Sequence, residues 1–89
     1  MHYFIEYRIK DSKLFWSQWE KAQGALPKDC HFIQAYSSKD MGFCIGVWQA
    51  GSEKMLRAFT KEYFSLCATC RCHEIDEYHV EGEPLRDVG

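Results

Sequence analysis

The 89-residue chain is defined first by what it lacks. It has no run of lysine and arginine of the kind that grips phosphate backbones. Its 11 basic and 13 acidic residues leave a net charge of -2, so nucleic acid is a poor partner. No apolar stretch approaches the ~18 residues that mark a membrane span. The opening "MHYFIEYRIK" alternates and carries charge, unlike a signal peptide. No low-complexity tract or linker divides the chain, so a single domain is expected over residues 1–82, followed by a loose tail at 83–89. The cysteines number 5, an odd count with three crowded together, which argues against a secreted disulfide framework. Reduced thiols and a cytoplasmic setting are the expectation.

What is present is apolar and aromatic. Hydrophobic residues make up 46% and aromatics 16%, which argues against disorder. A domain of this size has a thin core, which a partner subunit would supplement.

Periodicity divides the chain into six elements. "HYFIEYRIK" alternates as a strand, with Tyr3, Ile5, Tyr7 and Ile9 on one side and Phe4, Glu6 and Arg8 on the other. Asp11 and Ser12 offer N-cap oxygens to a helix whose stripe runs through Leu14, Phe15, Trp19, Ala22 and Leu26. Pro27 ends that helix. "CHFIQAYSS" and "GFCIGVWQA" read as strands joined by the polar connection "SKDMG". Ser52 is the expected N-cap of a second helix with Met55, Leu56, Phe59, Tyr63, Leu66 and Cys67 in its stripe. From about Thr69 the chain returns to extended character.

Strand, helix, strand, strand, helix, strand is the split βαβ, or ferredoxin-like, order of an α+β domain. It predicts a four-stranded antiparallel sheet in spatial order 4-1-3-2 with both helices on one face. The helix-covered face is expected to hold Tyr3, Ile5, Ile9, Ile33, Ala35, Phe43, Ile45 and Val47. The open face is then expected to show Phe4, Phe32, Tyr36 and Trp48 around Glu6, Arg8, Gln34 and Cys44. Soluble monomers rarely expose such an aromatic patch, and a second copy would cover it.

In element order and pattern, residues 2 to 81 resemble the dimeric α+β barrel superfamily, in which two ferredoxin-like subunits pack sheet to sheet around a cavity. Over a shorter span, "GFCIGVWQAGSEKMLRAF" is similar to small uncharacterised and nickel-binding ferredoxin-like proteins. The similarity is carried by Phe43, Cys44, Ala50 and Ser52. The following helix, "MLRAFTKEYFSLC", has no histidine.

Four groups are candidates for chemistry. Cys67, Cys70, Cys72 and His73 are soft and borderline ligands that suit a transition metal such as zinc or nickel. On an ideal strand His73 points away from Cys70 and Cys72, so a metal site requires the backbone to turn. Cys67 and Cys70 could instead form a redox pair, with Arg71 lowering a thiol pKa, or the cysteines could simply continue the core. The second group is a ligand pocket on the open face: Glu6, Arg8, Gln34, Tyr36, Cys44 and Trp48. There Gly42 and Gly46 leave space, and Glu6 could act as a base. The alternative is that Glu6 and Arg8 merely pair. The third is His2 and His79 with Glu6 or Glu81, a metal set unless these histidines are ordinary surface residues. The fourth, Phe15, Trp16 and Trp19, reads as core or subunit contact.

The expected function is a homodimeric binding protein for a small ligand or transition metal. The alternative is a small cofactor-independent oxygenase, isomerase or lyase, with Glu6 or a histidine reaching the cavity as base and Arg8 holding an anionic substrate. A protein-interaction module is the third class.

Overall fold

The computed structural model describes residues 1–79 and 81–82. The expected tail at 83–89 lies outside the described residues. The elements are β1 (His2–Ile9), α1 (Ser12–Gln23), β2 (Cys30–Ser37), β3 (Phe43–Ala50), α2 (Glu53–Phe64) and β4 (Ala68–Glu74). The sheet is antiparallel throughout, in the order β2-β3-β1-β4. This is the ferredoxin-like α+β arrangement that the alternation of periods implies.

Local chemistry sets the boundaries. Asp11 caps α1 by accepting the Leu14 N–H at 3.0 Å, and Ser52 caps α2 by accepting the Met55 N–H at 3.1 Å. In the β2–β3 connection, Asp40 Oδ1 accepts from Ser38 Oγ at 2.7 Å and from the Gly42 N–H at 2.9 Å. These two bonds, the Ser38 hydroxyl first, hold the Asp40 carboxyl below its ordinary pKa.

The core lies between the sheet and the helices. Its centre is an aromatic seam. Tyr7 meets Phe15, Trp19 and Phe64 edge-on, with ring centroids 5.3, 5.8 and 5.4 Å away. Trp48 packs on Phe32 at 5.1 Å and on Trp19 at 5.9 Å. Its buried indole Nε1 donates to the Tyr7 hydroxyl at 3.1 Å, which satisfies two polar atoms inside the core. Phe15, Trp16 and Trp19 are thus part of, or packed against, this core.

The structure corrects the facing of β3 and of half of β2. Cys44, Gly46, Trp48 and Ala50 are buried under the helices, while Phe43, Ile45 and Val47 are half-buried on the opposite face. Both sides of β3 are apolar, so alternation alone does not choose between them. Trp48 decides, because its large ring buries more area than any aliphatic side chain on the strand. Gly46 permits this choice. A Cβ there would come within 3.0 Å of Trp48 Nε1 and 3.2 Å of Tyr7 Cε2. In β2 the register shifts between Phe32 and Gln34, the mark of a bulge. Cys30 and Phe32 therefore meet the core. Ile33 turns out and is 49% exposed, while Ala35 returns to the core side.

Candidate functional site

The open sheet face is the candidate site, and strand register assembles it. Gln34, Val47, Phe4 and His73 form one row across the four strands. Tyr36, Ile45, Glu6 and Arg71 form the next. Beyond it Arg8 lies between Phe43 and Thr69. The face is therefore divided. Over β2 and β3 it is apolar, with Ile33, Phe43, Ile45 and Val47. Over β1 and β4 it carries the polar side chains of Glu6, Arg8, Arg71 and His73.

Where the halves meet, His73 Nε2 stands 3.3 Å from Glu6 Oε2. Phe4 stacks on the imidazole with ring centroids 4.7 Å apart and planes 21° apart. The stacked ring limits imidazole rotation and directs its nitrogen towards the carboxylate. Both partners remain open to solvent, with side chains 38% and 33% exposed. The pair is therefore accessible to a molecule lying on this face. Beside it, a cleft of about 600 Å³ is lined by Ile33, Gln34, Tyr36 and Val47 together with His2, Ile75 and Glu77. His2 Nδ1 pairs with the Glu77 carboxylate, whose pKa it lowers.

Of the six expected pocket residues, Glu6, Arg8, Gln34 and Tyr36 share this face. Cys44 and Trp48 do not. They sit on the far side of the sheet, 0% and 1% exposed, for the reason given for β3. Their places are taken by Ile45 and Val47, and the sequence reading did not pair His73 with Glu6. The antiparallel pairing of the two terminal strands carries that information, since it sets Phe4 opposite His73 and Glu6 opposite Arg71.

The four-ligand metal set is not assembled. β4 pairs with β1 without interruption from Ala68 to Glu74, so strict alternation is kept. Cys70 and Cys72 lie against the core beneath α2, and His73 faces the opposite side. Cys67 is buried at the helix–strand joint, where its thiol donates to the Phe64 carbonyl at 3.5 Å. Burial raises the pKa of all three thiols, that of Cys70 to about 12. Protonated thiols are poor metal ligands and poor redox nucleophiles. His79 takes Asp76 as its partner at 2.7 Å, as His2 takes Glu77, so the two histidines form separate pairs. Among the described residues, no group of three or more His, Cys, Asp or Glu side chains could hold a metal ion.

Among the described residues, no helix is long and apolar enough to cross a membrane. No protein-family model matches the chain, and no curated protein matches it either.

Proposed function

We propose that the protein is a small-ligand-binding protein that acts as a homodimer closed over the open sheet face. One observation carries this reading: an uncovered sheet face that is apolar on one half and bears the Glu6–His73 pair where the halves meet. Patches of this kind on soluble proteins mark interaction or ligand sites. A two-fold dimer would lay the face against its own copy and convert the cleft beside Tyr36 and Val47 into an enclosed cavity. The fitting ligand is a small organic molecule. Its apolar body would lie over Ile45 and Val47 and its proton-bearing end would reach Glu6 and His73.

The Glu6–His73 distance also favours a second reading, a proton-transferring enzyme of the isomerase or lyase kind. There Glu6 orients the His73 imidazole, which takes the proton, and Arg71 or Arg8 holds developing negative charge.

Sedimentation velocity with native mass spectrometry tests both readings. The wild type should be a dimer carrying a small-molecule mass excess. Ile45→Lys, at the centre of the face, should give folded monomer without that excess. A wild-type monomer, or an Ile45→Lys dimer, would remove the basis of the proposal. Glu6→Gln separates the readings. It should retain dimer and bound molecule in both cases. Only in the enzymatic one should it slow proton exchange into the bound molecule, by about 10²–10⁴-fold.

A further inference from the structure

On the other side of the sheet from the Glu6–His73 pair a groove of about 390 Å³ runs between α2 and β4. Its rim carries Lys10, Arg57 and Lys61, and its floor includes Cys70 and Cys72. Among the described lining residues there is no carboxylate. We propose that this groove is a second binding site, for a small organic anion whose head group is a phosphate monoester.

Three features point to that chemistry. The first is a concentration of three basic side chains, only one of them ion-paired, in a chain whose net charge is -2. Arg57 and Lys61 are one helical turn apart, where like charges repel. Glu53 Oε2 answers Arg57 at 2.7 Å, but among the described residues neither Lys10 nor Lys61 has an ion-pair partner. What remains is the positive charge of two ammonium groups, which matches a dianion. The second is placement. The Lys10 N–H donates to the Cys67 carbonyl at 2.8 Å, which holds this residue beside the joint between α2 and β4. Lys10 therefore borders the groove from the end of β1 and Lys61 borders it from α2. The third is the hydrogen-bonding character of the site. The rim side chains of Lys10, Arg57 and Lys61 are donors, while the floor of Ile5, Ala68 and protonated thiols is apolar. Donors around an apolar floor select a molecule with an anionic head and an apolar body. The volume falls within the ordinary range for small-molecule pockets, about 300–1,000 Å³.

Phenyl phosphate is the probe, with inorganic phosphate as the head-only comparison, each titrated into isotopically labelled protein. Saturable amide shifts are expected at Lys10, Lys61, Thr69 and Cys70. Phenyl phosphate should bind more tightly than inorganic phosphate, slow the alkylation of Cys72, and bind more weakly as ionic strength rises. Lys10→Gln/Lys61→Gln changes two exposed side chains and should keep the fold. It should weaken binding at least about tenfold, the effect of losing charge-assisted hydrogen bonds. Non-saturable shifts, shifts spread evenly over all lysine-bearing segments, or unchanged affinity in the double variant would overturn the proposal. An Ile45→Lys monomer should still bind phenyl phosphate, so failure of the open-face reading and failure of this one are separately visible.

Discussion

Gly46 shows how much a single residue can set. It lies mid-strand beneath the contact between the Trp48 indole and the Tyr7 ring, and its missing side chain lets them meet. Gly46→Ala should therefore destabilise the protein by about 1–3 kcal/mol, the usual cost of overpacking. The opposing gain from a stiffer unfolded chain is smaller, about 0.4–1 kcal/mol. Denaturant titration followed by circular dichroism checks this, and an unchanged or raised midpoint would contradict the packing described. The sequence made this glycine conspicuous but not its purpose. A strand glycine signals either open space or close approach, and only the rings that fill the gap distinguish them.

Among the elements, helices were more legible than strand faces. Asp11 and Ser52 stand immediately before amphipathic stretches, and each makes the side-chain bond its chemistry suggests. Ser52→Ala should cost about 1 kcal/mol. That corresponds to a fall of roughly 4–8 °C in thermal midpoint for a domain this small, measurable by calorimetry. A drop confined to experimental error would mean that α2 is held by packing alone. Strand order and pairing followed from the sequence of periods, whereas facing did not. A strand apolar on both sides, such as β3, contains no internal instruction for which side is buried. In β2 the bulge at Ile33 adds a residue that strict alternation cannot anticipate, so the reading held for Gln34, Ala35 and Tyr36 and failed for Phe32 and Ile33. The candidate site was legible in proportion. Glu6, Arg8, Gln34 and Tyr36 were found from alternation, and His73 needed the pairing of β1 with β4, which brings together residues 67 positions apart.

For the whole molecule, the five cysteines act together on stability. Burial raises the pKa of Cys30, Cys44, Cys67, Cys70 and Cys72, so the fold favours the neutral thiol at every one. In the unfolded chain a thiol ionises near pH ~8.5. The stabilisation is therefore complete below that value. It is lost as pH rises through the folded-state values, which at Cys70 reach about 12. Urea midpoints should be level near neutrality and fall steadily from about pH 9 upward. Cys70→Val should flatten the slope, and a level wild-type profile to pH ~10 would refute the linkage.

The placement of the tryptophans bears on how the protein can be observed. Trp16, Trp19 and Trp48 all belong to, or pack against, the core beneath the helices, and the open face carries no indole. Intrinsic emission is accordingly a gauge of whether the chain is folded and is blind to whatever meets the opposite side of the sheet. Partner or ligand docking there can proceed with little change in the spectrum. A dye or an indole introduced on that face would be needed to follow it by light.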